Sequence, residues 1–175
     1  MLPCLSYFKM DWKRIEKAYK VPAKVLRHFP LIPRLQRLFI CSKMASSLRW
    51  HEKECSKDWK LRHLTDGEAW KEFDKCHPGF VGDSRNIRLG LASDGLNPFR
   101  TISTSHSTWS VVLIPYKFPP WWCMKAEYSM LSLLIPSSTS SGNDIDVYLQ
   151  PLIEELKVLW EIGVEKYDAS LHQTF

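Results

Sequence analysis

The chain has 175 residues, of which 45% are hydrophobic and 25% charged, with eight Trp and a net charge of +5. A length of this order holds one ordinary domain plus an appendage and buries roughly two thirds of its unfolded surface, and the apolar content excludes a disordered chain. No apolar run approaches the ~20 residues a membrane helix needs, and the opening MLPCLSYFKMDWKRI becomes charged too soon for a signal peptide.

The charge is unevenly distributed. Residues 1–50 carry eleven Lys/Arg against two acids, Asp11 and Glu16, whereas residues 51–175 carry thirteen against seventeen. A basic arm ahead of a mildly acidic body suits a polyanion such as DNA. The five Cys (4, 41, 55, 76, 123) are odd in number and contain no CxxC pair, so neither a disulfide framework nor a zinc ribbon is visible. Reduced thiols fit an intracellular compartment.

In chain order, DWKRIEKAY (residues 11–19) predicts a short basic helix that ends before Pro22. Pro33 can open a second helix through Arg34, Leu35, Leu38 and Phe39. Residues 46–60 read as helical, and Thr65 with Glu68 predicts a capping box ahead of a helix carrying Trp70 and Phe73 on one face. From Asn86 the period becomes that of strands: IRLGLAS alternates, while VVLIPY and MLSLLIP are continuous apolar runs of the kind covered on both faces of a sheet. Pro115 and Pro136 sit at the ends of their runs, where a ladder loses least. After the loop SSTSSG, Asn143 or Asp144 is expected to cap an amphipathic helix whose apolar face includes Ile145, Leu149, Leu152, Leu156 and Leu159. Pro151 should kink that helix or delay its regular start.

The block from Asn86 to Lys125 carries the chemistry. A strand-like run, Ile87 to Ala92, delivers Asp94 onto a Gly turn, and a second apolar run follows. The words SDGLNPF, STWSVVLIPY and PPWWCMK, with AWKEFD before them and GNDIDVYLQPLIEELKVLW after, occur in one order. They resemble the opening of the catalytic domain in plant CACTA (En/Spm-type) DNA transposases, over about Lys20 to Phe175. Leu96, Arg100 and Ser110 depart from the family pattern, and residues 1–19 do not match it.

The resemblance implies an α/β fold. Residues 81–175 would form a partial RNase H-like domain, its first strands and helix, preceded by a basic, mainly helical region over residues 1–80. In this family three carboxylates hold two divalent metals that activate the attacking oxygen and stabilise the leaving one. Asp94 takes the place of the first, so it is the expected catalytic residue and metal ligand, with Mg²⁺ the implied cofactor. The competing explanation is an ordinary Ser-Asp-Gly turn. Asp144 and Asp146 look like helix N-terminal residues, and Asp168 like part of a terminal turn. The set of acids therefore reads as incomplete, which makes the chain a transposase fragment expected to be inactive alone. One carboxylate does not hold two Mg²⁺ ions.

The implied partner is DNA at transposon ends and the implied location is nuclear. Lys13, Arg14, Lys17, Lys20, Lys24, Arg27, Arg34 and Arg37 are the expected phosphate contacts. If six contacts formed, affinity would fall on the order of a thousandfold between low and moderate salt. A solvated face over a Leu/Phe stripe accounts for the same residues equally well. Trp109, Trp121 and Trp122 offer base stacking, or else a packed edge. His51, Cys55, Cys76 and His77 match no usual zinc spacing. An exposed strand edge would favour self-association. The alternative to a transposase fragment is a DNA- or protein-binding module derived from such an element.

Overall fold

The computed structural model describes residues 12–13, 21–22, 25–53, 60–96, 107–137 and 145–175. Strands β1 (Trp12–Lys13), β2 (Val21–Pro22) and β3 (Arg27–His28) come first, followed by helices α1 (Ile32–Ile40), α2 (Ser42–Ser47) and α3 (Trp50–Lys53). A 3-10 turn (Leu64–Asp66) leads into α4 (Glu68–Cys76) and α5 (Pro78–Val81). Then come β4 (Leu89–Leu96), β5 (Ser107–Pro115), β6 (Met130–Ser137), α6 (Ile145–Glu161), β7 (Tyr167–Asp168) and β8 (Gln173–Thr174). The chain is thus a mixed helix-and-sheet protein. It divides into two compact units, one of residues 1–34, 91–112 and 130–164, the other of residues 35–90, 113–129 and 165–175.

A four-stranded sheet has the order β3-β6-β5-β4, with most of its residues in the first unit. β3 runs antiparallel to β6, with Arg27 opposite Leu134 and His28 opposite Leu133. Asp94 faces Ser110 through a hydrogen bond from Ser110 Oγ to the Asp94 carbonyl (3.4 Å), while the Tyr116 amide donates to the Arg88 carbonyl (2.9 Å). One partner number rises as the other falls, so β4 and β5 are antiparallel. The continuous apolar runs bury Val111, Met130, Leu133 and Ile135. α6 lays Tyr148 and Leu152, one turn apart, onto this core. A fully buried Leu contributes roughly 1.5–3 kcal/mol.

Three expectations change here. Trp12–Lys13 pairs with Val21–Pro22 as a strand where the sequence suggested a helix. The strand holding Asp94 runs from Leu89 to Leu96, so the acid lies within it rather than just past its end. α6 begins at Ile145 and continues through Pro151, which therefore does not delay its start. The expected caps Asn143 and Asp144 lie outside the described residues.

In the second unit, Leu35, Leu38 and Phe39 sit at helical spacing and all are buried. Pro33 occupies the first turn of α1, where its missing donor costs nothing. The C-terminal hairpin β7-β8 docks on Phe39: the Ala169 amide donates to the Phe39 carbonyl (2.9 Å) and the Phe175 ring meets Phe39 edge-on at 5.3 Å. The expected capping box falls elsewhere. His63, not Thr65, caps the 3-10 turn, its imidazole accepting from the Thr65 amide while Asp66 accepts from the His63 amide. α4 then starts after Gly67 with no side-chain cap.

Candidate functional site

Asp94 lies on the strand at one end of the sheet order, in a run of five exposed residues, Leu91 to Gly95. Its Oδ1 accepts the Gly95 amide at 2.7 Å, the local closure expected of an Asp-Gly pair. Among the described residues no group of three or more His, Cys, Asp or Glu side chains is placed to hold a metal ion. Mg²⁺ keeps most of its waters and needs more than one hard oxygen ligand from the protein or substrate. Asp94 by itself supplies one such ligand group.

The basic residues separate into distinct roles. Arg27 on β3 and Arg37 on α1 are exposed. Arg34 is half-buried, donates to the Leu131 carbonyl, and has its pKa lowered by burial against the opposing effect of Glu155. It holds the first unit together rather than reaching outward. Lys13 falls in β1, and Arg14, Lys17, Lys20 and Lys24 lie outside the described residues. The tryptophans divide likewise. Trp122 stacks on Tyr128 (5.0 Å, 19°) and touches Phe118, which is fully buried, so it is part of a packed edge. Trp121 is 56% exposed and meets Trp50 edge-on. Cys76 is a free, exposed thiol, and His77 packs on Phe73.

A second site lies wholly within the second unit, as a cavity of about 490 Å³ between α3, α4, α5, the following loop and the C-terminal hairpin. Arg88 forms one wall. Its guanidinium lies 3.8 Å from the Trp70 ring centre and 4.3 Å from that of Phe73, and it pairs with Asp74. Trp70 and Phe73 share a face of α4 because they are three residues apart, with Asp74 one turn on from Trp70. Arg85 is held by Asp83 through Nε (2.8 Å) and Nη2 (2.7 Å) and covers the Phe175 ring at 3.7 Å. The hydrogen bond from Arg85 outweighs partial burial and holds the Asp83 carboxyl below its ordinary pKa.

Lys117 lies in the same cavity and is only 4% exposed. Its Nζ donates to the Ser84 carbonyl at 2.9 Å. Burial lowers its pKa to about 8, and the charge of Arg88 adds to the effect. His51, also on the cavity, is pushed down to about 4, by burial first and by Lys117 second. Sequence reading placed Trp70 and Phe73 on one face but missed Arg88 and Lys117. The available signal was a lone Lys inside the aromatic run IPYKFPPWW.

Fold and site thus define a mixed α/β protein with an antiparallel sheet, an acid displayed on an exposed strand, and a charged cavity. No helix among the described residues is long and apolar enough to cross a membrane. The chain belongs to the transposase family tnp2, whose family model matches residues 58–175, more than half of its length. No curated protein and no solved structure matches it. Its function is accordingly transposase-derived.

Proposed function

We propose that the chain is part of the catalytic domain of a DDE-type DNA transposase of the plant CACTA (En/Spm) group, acting in the nucleus on transposon-end DNA. Membership of the tnp2 family over residues 58–175 carries this reading. The succession β4, β5, β6, α6 is in keeping with the first half of an RNase H-like domain, and Asp94 on β4 stands as its first metal-binding carboxylate. One carboxylate supplies too few oxygens for two Mg²⁺ ions, so the isolated 175-residue chain does not cleave DNA. The test is Mg²⁺-dependent nicking of a labelled terminal-repeat duplex. Cleavage by the isolated chain that vanishes in Asp94→Ala would overturn the inactive reading and keep the catalytic one. Cleavage indifferent to Asp94 would overturn the role of that residue.

A second reading, a DNA-binding module, draws on the exposed Arg27 and Arg37. It predicts salt-sensitive DNA binding that survives Asp94→Ala and weakens when these arginines are neutralised. No binding to duplex DNA at low salt would remove it.

A further inference from the structure

We propose that the cavity of the second unit is a binding site for the phosphate group of a nucleotide, with the Lys117 ammonium as its charge partner.

The charges around the cavity support an anion in one place. Asp74 is taken by Arg88 and Asp83 by Arg85. Glu52 is exposed, and His51 is neutral at physiological pH. Lys117 is different. It is the most buried of these ionisable groups, its hydrogen bond goes to a carbonyl, and no carboxylate among the described residues lies within ion-pair distance of it. The carboxylates of Asp83, Asp74 and Glu52 act on it only from beyond ion-pair distance, and the cost of burying the ammonium outweighs them. An incoming oxyanion supplies the missing partner, and charge-assisted bonds of this kind are about twice as strong as neutral ones.

Size and walls narrow the ligand. A volume of about 490 Å³ lies within the range of small-molecule sites and far exceeds what a lone ion fills. Trp70 and Phe80 line it beside the cations. An aromatic wall next to a fixed positive charge accommodates a base or sugar attached to a phosphate. The same chemistry is offered by a free mononucleotide and by a terminal nucleotide of a DNA strand.

The experiment is calorimetric titration of the full chain at pH 7 with inorganic phosphate, a deoxynucleoside monophosphate, and a short single strand with or without a 5′-phosphate. The mononucleotide is expected to bind more tightly than inorganic phosphate. Binding of the phosphorylated strand alone would assign the site to strand ends, and binding of the mononucleotide alone to free nucleotides. Lys117→Met should weaken binding at least tenfold, and Lys117→Arg should restore most of it. Raising the pH from 7 to 9 should weaken binding by the wild-type chain about tenfold, as a group titrating near pH 8 loses its proton. This arm needs no variant, so it decides the matter even if Lys117→Met does not fold. No binding of any probe, or binding indifferent to both Lys117→Met and pH, overturns the proposal. The site does not depend on the DDE reading: a chain that binds nucleotides here but ignores duplex DNA would remove the DNA-binding-module reading and leave this one standing.

Discussion

Glu155, on α6, accepts the backbone hydrogen of Leu31 at 2.9 Å although 124 residues separate them in the chain. The same carboxylate reaches the Ile32 amide (3.4 Å) and His28 Nε2 (3.1 Å). It therefore caps the start of α1 from another element, where the sequence has Leu rather than Ser, Thr, Asp or Asn. Glu155→Ala should lower stability by about 1–3 kcal/mol, since a partly buried amide loses its acceptor. Glu155→Gln, which keeps one oxygen, should lose less. Urea unfolding of the two variants checks the order, and equal losses would count against the cap.

Gly90 is buried on β4 because its position is crowded: a Cβ there would run into the Tyr116 phenol. Gly90→Ala should cost about 1–3 kcal/mol as an overpacked site. In a Tyr116→Leu background the penalty should shrink. A double-mutant cycle measures the coupling, and strict additivity would refute the contact.

Asp168 is fully buried, and its Oδ1 accepts the Ser170 amide (2.8 Å), the Ser170 hydroxyl (2.6 Å) and the Leu171 amide (3.2 Å). Burial alone would raise its pKa, but the Ser170 hydrogen bonds and the charge of Arg49 together bring it below the ordinary 3.8. A depressed carboxyl contributes stability that is complete above the unfolded value and is lost as pH falls through the folded one. Acid unfolding of Asp168→Asn should therefore be flatter below pH 3.8 than that of the wild type, and parallel curves would be the contrary result.

His51 carries an acid sensitivity in a higher window. Its folded pKa of about 4 lies below the ordinary 6.5, so the folded state favours the neutral ring. Stability should be unaffected above pH 6.5 and should fall progressively between 6.5 and about 4 as the unfolded chain takes up the proton first. His51→Gln should abolish that part of the decline. Thermal unfolding across this range reads it directly.

The arginines of the basic arm should divide by position. Arg27→Gln and Arg37→Gln should weaken DNA binding and reduce its salt slope by about one each. Arg34→Gln should instead lower the unfolding temperature, because its partner is the Leu131 carbonyl. A stable Arg34→Gln chain with weakened DNA binding would contradict this division.

Much of the architecture is local and was therefore legible beforehand. The apolar runs VVLIPY and MLSLLIP became β5 and β6, the 3.6-residue period of IDVYLQPLIEELKVLW became α6, and Pro33 opened α1. Asp168, expected within a terminal turn, instead ends β7, and its carboxylate accepts the amide of the turn residue Ser170. The misplaced capping box shows the limit of such reading: Thr65 with Glu68 and His63 with Asp66 compete within six residues, and only the folded backbone selects between them.

Composition and period by themselves determined the element types and the uneven charge, because both are set by neighbours along the chain. Tertiary structure alone decided that Arg34 turns inward, that Glu155 finishes a distant helix, and that Lys117 is enclosed beside two paired arginines. Burial and long-range partners fix a charge's role, and neither is written in the spacing of residues.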